Sequence, residues 1–87
     1  MQTVWKYMLQ SSSELDLPKE AQILSVHEQG DNVCMWVLVD TEAKKEKRKF
    51  VVFGTGHEIP DHPMKFIGTV HIRNGALVFH IFEIIPF

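Results

Sequence analysis

The chain has little of what recognisable sites are usually built from. Cysteine occurs once in 87 residues, at Cys34 inside NVCMWVLVD, which excludes an intramolecular disulfide and a Cys-x-x-Cys metal pair. Among apolar neighbours a lone thiol reads as a small buried hydrophobe and suits a reducing cytosol. Long apolar runs are also missing. The longest, Val33 to Val39, falls far short of the roughly 20 residues a spanning helix needs, and no N-terminal stretch has the h-region of a secretory signal. The expectation is a cytoplasmic protein with no membrane contact. Positive charge is not in excess: nine Lys and Arg against eleven Asp and Glu give a net charge of −2, which argues against nucleic acid as a partner. Five of the nine bases nevertheless fall in KKEKRK, Lys44 to Lys49.

Helical periodicity is scarce as well. Val, Ile, Phe, Thr and Trp recur with period two in runs bounded by turn residues, the pattern of half-buried strands. Strands are expected at Thr3 to Leu9, Ile23 to Gln29, Val33 to Asp40, Lys49 to Gly54, Phe66 to Arg73 and Ala76 to Ile85. SSSELDLPKE reads as a polar connection, with room for one helical turn near Pro18 to Gln22, because Pro18 disfavours helix at Leu17 and serines compete for backbone hydrogen bonds. TEAKKEKRK reads as a charged tip. Gly30-Asp31-Asn32 turns the second and third strands into a hairpin in either of two registers, and the choice decides whether His27 and Trp36 share a face. The fold expected is a single all-β domain over residues 1 to 87: about six antiparallel strands in a meander, forming one curved sheet or a small open barrel with little helix. A chain this short buries only about 60% of its unfolded surface. Self-association into a homo-oligomer is therefore expected.

Asn74-Gly75 is the strongest hairpin signal, since both central positions of a type I′ turn need positive φ. It pairs Arg73 with Ala76, Ile72 with Leu77, His71 with Val78, Val70 with Phe79 and Thr69 with His80. One face then holds Ile72, Leu77, Val70, Phe79 and Ile81 and is purely apolar. The other holds Arg73, Ala76, His71, Val78, Thr69, His80, Ile67 and Phe82. On it Thr69, His71, Arg73 and His80 can reach one ligand, unless they are simply the solvated outside of a half-exposed sheet.

GTGHEIPDHP, residues 54 to 63, is the second candidate. Gly54, Thr55, Gly56 and His57 offer backbone N–H groups for an anion nest, but neither a following helix nor a P-loop lysine is present. The plainer reading is a strand end that needs glycine to turn. His57, Glu58, Asp61 and His62 lack the spacing of a structural zinc site, and Pro60 and Pro63 splay the two histidines, so no metal or other cofactor is expected. No serine or cysteine sits in a nucleophile setting, and no catalytic residue is assigned. Trp5, Tyr7 and Trp36 can stack on a base, although regular alternation turns at least two of them into the core.

The blocks TVWKY, ILSV with CMWVLVD, FGTGHEIP and GALVFHIFE resemble, in order and over nearly the whole chain, a family of short uncharacterised phage and prophage proteins. The closing IIPF extends beyond that pattern. The resemblance implies an accessory protein acting in the cytoplasm of an infected host, and such small β-rich oligomers include inhibitors of bacterial immunity. By that analogy the expected activity is anti-defence: sequestration, without catalysis, of a small anionic nucleotide-like signal. Gly54, Thr55, Gly56 and His57 would meet its phosphates, His71, Arg73, Thr69 and His80 would add charge or hydrogen bonds, and Trp5 or Tyr7 would stack. The alternatives are an inhibitor that docks on a host defence protein through an edge strand or KKEKRK, and a phosphodiesterase relying on His57, His71 or His80.

Overall fold

The computed structural model describes residues 1–86. Seven strands follow one another: β1 (Gln2–Leu9), β2 (Ser12–Pro18), β3 (Gln22–Gln29), β4 (Asn32–Asp40), β5 (Lys45–Gly54), β6 (Met64–Ile72) and β7 (Leu77–Ile84). All pairings are antiparallel. The all-β class is as the sequence implied, but the connectivity is not a meander in one sheet. Three strands form a sheet in the order β1-β4-β3, and four form a second in the order β2-β5-β7-β6.

Two sheets arise because the chain carries more apolar faces than one sheet can cover. Leu9, Val33, Met35, Val37, Val39 and Val26 on the first sheet meet Leu17, Phe50, Ile81, Val70 and Ile72 on the second in a single buried cluster. Cys34 lies on the other side of the central strand β4, where it is still buried. The sheets approach most closely where their edge strands β3 and β6 run side by side without forming a ladder. Each of these strands carries a bulge, at Leu24 and at Ile67. Gly68 makes the approach possible: a Cβ there would stand 2.6 Å from Val26 Cγ2.

β2 and the first half of β5 were hidden in polar sequence. Ser13, Leu15 and Leu17 turn inward while Ser12, Glu14 and Asp16 turn outward, a period-two pattern that the serines and Pro18 obscure. Residues 18 to 21 form a tight turn, with Ala21 N–H donating to the Pro18 carbonyl and Glu20 at φ 63, rather than a helical turn. The basic run is likewise strand rather than tip from Lys45 onward, although residues 44 to 47 stay exposed. Lys47 lies opposite Asp16 and Lys49 opposite Glu14, so its outward charges meet acids across the ladder.

The β3–β4 hairpin uses a two-residue turn, whereas four residues, 73 to 76, join β6 to β7. Gln29 pairs with Asn32, leaving Gly30 and Asp31 at φ 56 and 64, and His27 and Trp36 share the outer face with ring centroids 6.1 Å apart. Asn74 and Gly75 stand at φ 56 and 87, and the pairs from Thr69–His80 to Ile72–Leu77 form as expected, but Arg73 at φ 55 has left strand geometry and the expected Arg73–Ala76 ladder pair is absent.

Candidate functional site

The outer face of the four-stranded sheet gathers the polar residues of the last hairpin. β7 runs through its middle, and His80 projects outward from it between Thr69, directly opposite on β6, and Thr55, just beyond the end of β5. His80 Nε2 lies 2.8 Å from Thr55 Oγ1, and Nδ1 lies 3.0 Å from Thr69 Oγ1. The Thr55 hydroxyl donates to the Val78 carbonyl at 3.4 Å. With its proton used there, Thr55 accepts from Nε2–H, which leaves Nδ1 to accept from the Thr69 hydroxyl. Both nitrogens of His80 are thus engaged and its ring is held in one orientation. His71 lies two residues further along β6 on the same face, and Arg73 follows at the turn with φ 55.

Next to this polar end lies an aromatic one. Phe82 packs edge-on against Phe53 on β5, with centroids 5.9 Å apart, and against Phe66 on β6 at 5.5 Å. Phe66 is 55% exposed. Phe66 reaches this face because of the bulge: Ile67 is the extra residue and packs on the core, so Phe66 falls opposite Phe82. Strict alternation from Thr69 puts Ile67 outward and hides Phe66. Phe53 was more accessible to sequence reasoning. It stands three residues from Phe50, and an odd offset in a strand means opposite faces.

Thr55 apart, the glycine loop is split from this site by the sheet. Gly54 lies opposite Phe79 on the inward side, and the His57 ring occupies the space where a Gly54 Cβ would be, 2.9 Å from that position. His57 therefore caps the end of the sandwich, beside a hollow of about 270 Å³ that also meets Leu77 and Phe79. Thr55 N–H donates to the Val78 carbonyl and His57 N–H to the Gly54 carbonyl, both at 3.1 Å. Two donors of the expected anion nest are spent inside the chain, and the glycines serve the turn, Gly56 at φ 87.

Trp5 and Tyr7 are not brought to His80 either. They face inward from β1 in the other sheet and pack against the core, and burial pushes the Tyr7 phenol above its ordinary value. Lys45 Nζ sits 6.0 Å from the Trp5 ring centroid. A larger hollow of about 560 Å³ opens at the seam between β3 and β6, beside Arg48 and Lys65. There Arg48 already grips Glu83 through Nε to Oε2 at 2.6 Å and Nη2 to Oε1 at 2.8 Å, and donates from Nη1 to the Ala21 carbonyl at 2.7 Å. Among the described residues no three His, Cys, Asp or Glu side chains converge as metal ligands would. Among the described residues no helix is long and apolar enough to cross a membrane.

A family model described as a domain of unknown function, DUF7352, matches residues 1–86. The chain belongs to this family. No curated protein and no solved structure matches the DUF7352 chain.

Proposed function

We propose that the protein is a binding protein without catalysis, taking a small anionic, nucleotide-like ligand on the outer face of the four-stranded sheet. The observation that carries this reading is His80, held between Thr55 and Thr69 beside the Phe53, Phe66 and Phe82 cluster. The exposed Phe66 ring, backed by the half-buried Phe53 and Phe82, offers a stacking surface for a base of any identity. His80 fixes the Thr69 hydroxyl, whose oxygen keeps lone pairs to accept from a base N–H one step further along the same face. His71 and Arg73 then supply donors for phosphate. From the Phe66–Phe82 pair to the His71–Val78 pair the ladder advances four steps, about 14 Å at about 3.4 Å per residue, with Arg73 beyond at the turn. A ligand that engages both ends is of dinucleotide length. The engaged nitrogens of His80 favour holding over cleavage, because an acid-base pair needs an imidazole nitrogen free to exchange a proton with substrate. In the setting implied by phage-like sequence, the ligand is a nucleotide-derived signal of host immunity and the protein sequesters it in the host cytoplasm. The reading in which KKEKRK docks on a host defence enzyme draws less support, since Asp16 and Glu14 oppose its lysines.

Calorimetry with a panel of cyclic oligonucleotides and ADP-ribose derivatives tests the proposal. Micromolar binding by one of them, weakened at least tenfold in Thr69→Val and Phe66→Ala, with intact ligand recovered after heat denaturation, is expected. Absence of binding at high micromolar concentration across the panel sinks it, and recovery of a cleaved product replaces sequestration with catalysis.

A further inference from the structure

The four sheet edges are not equally protected against pairing with another chain. β2 carries Pro18 and outward Glu14 and Asp16. β3 and β6 carry bulges and lie against each other. Prolines, charges and bulges are the devices that keep edges apart. β1 has only a single charge: its eight residues QTVWKYML hold no proline, no glycine and no bulge, and among the described strands it pairs with β4 alone. Its one charge, Lys6, is drawn across β4 to the Gln29 side chain, away from the free edge. Val4 and Met8 are 48% and 57% exposed.

We propose that β1 pairs with β1 of a second copy of this chain, antiparallel about a two-fold axis through Trp5, joining two three-stranded sheets into one of six strands. The register follows from the chain itself. Thr41 N–H donates to the Met1 carbonyl, so Met1 and the odd-numbered residues of β1 direct their backbone groups at β4. Gln2, Val4, Lys6 and Met8 direct theirs at the open edge. Opposed residues share a face, so odd must meet odd and even meet even. Two registers then give the longest overlap. One places Lys6 opposite Lys6 of the second copy, which like-charge repulsion disfavours. The other places Trp5 opposite Trp5, Lys6 opposite Val4, Tyr7 opposite Thr3 and Met8 opposite Gln2, with no like charges opposed.

In that register the even-numbered residues form four hydrogen-bonded pairs. Two bonds per pair give about eight backbone hydrogen bonds, within the roughly 10 ± 5 direct bonds of a typical stable interface. The partly buried Trp5 rings meet across the axis in a closely spaced, non-hydrogen-bonded pair, the geometry in which cross-strand aromatics gain most. The outer face bearing His80 belongs to the other sheet and stays open, so this inference stands or falls independently of the ligand.

Sedimentation analysis of the full chain decides it. Wild type is expected to be a dimer at tens of micromolar. Val4→Pro removes an N–H that faces only the open edge, and is expected to give a monomer with unchanged circular dichroism. Val4→Lys places a lysine opposite Lys6 of the second copy and Val4→Glu an opposite charge, at two symmetric positions. Dissociation constants about tenfold or more apart, with Val4→Glu the tighter, are expected. This pair reads the register even where the proline variant fails to fold. A monomeric wild type overturns the proposal, as does a folded Val4→Pro chain that remains dimeric. Equal dissociation constants for Val4→Lys and Val4→Glu overturn the register.

Discussion

Replacing Glu83 by alanine is the sharpest test of how the sandwich is held at its seam. Glu83 is buried on the inner side of β7, and Arg48 reaches it from β5 with side-chain exposures of 10% and 19% respectively. The guanidinium also grips the Ala21 carbonyl at 2.7 Å, in the connection that leads from the four-stranded sheet to the three-stranded one. One side chain thus ties both sheets together. The hydrogen bond to Glu83, set against the cost of burial, raises the Arg48 pKa above its ordinary value. Removing one partner of a buried pair costs about 3–5 kcal/mol, chiefly because the other charge is left uncompensated. Arg48 keeps some solvent contact and the Ala21 carbonyl, so the lower end, about 3 kcal/mol, applies to Glu83→Ala. With an unfolding entropy near 2.1 cal/mol/K per residue, a chain of this length loses about 16 °C in Tm. Arg48→Met with Glu83→Leu removes both charges and restores packing, and is expected within about 1 kcal/mol of wild type. Scanning calorimetry of the two variants checks the sign as well as the size. A Glu83→Ala chain within about 5 °C of wild type refutes the uncompensated-charge argument, and so does a double variant as unstable as the single one.

Gly68→Ala is expected to cost about 1–3 kcal/mol by forcing β6 off Val26, and Val26→Ala in the same chain to return at least about 1 kcal/mol of that; additive losses in chemical denaturation would contradict the close approach. Tyr7 is the single tyrosine, so phenolate absorbance reports it directly. Burial raises its pKa above 10.0, which means that the unfolded chain gives up the proton first and stability falls as pH rises past that value. A midpoint at or below 10.0 in the folded protein would place Tyr7 in solvent.

Local chemistry made the hairpins readable from sequence. At Asn74-Gly75 the turn demands positive φ at both central positions, and one register then follows for every pair to Thr69 and His80. Gly30-Asp31-Asn32 offered two registers, and only packing chooses between them: with Gln29 opposite Asn32, Val26 and Met35 both turn into the core. The second sheet was less legible. Ser13, Leu15 and Leu17 alternate correctly, but pairing with Lys45–Gly54 is long-range, and the acids and lysines that stabilise it look like solvated surface when each segment is read alone. Bulges were hard to read for a similar reason. Ile67 steps out of register where β6 passes Val26, and the one sequence signal is Gly68 beside it, an isolated glycine inside a strand pattern. Half of the candidate face, Thr69, His71 and His80, came from the hairpin; the aromatic half depended on that bulge.

Cys34 gives the protein a built-in clock. Its thiol is 2% exposed on the central strand of the three-stranded sheet, flanked by Met8 on β1 and His27 on β3. A reagent can alkylate it only while one of the flanking strands has swung away, so the labelling rate counts how often the sheet opens at its margin. When a second chain zips along β1, that margin moves outward by three strands and the thiol becomes interior to a six-stranded sheet. Alkylation should then slow as protein concentration rises, a kinetic signature of assembly written in a residue that touches neither the axis nor the ligand face.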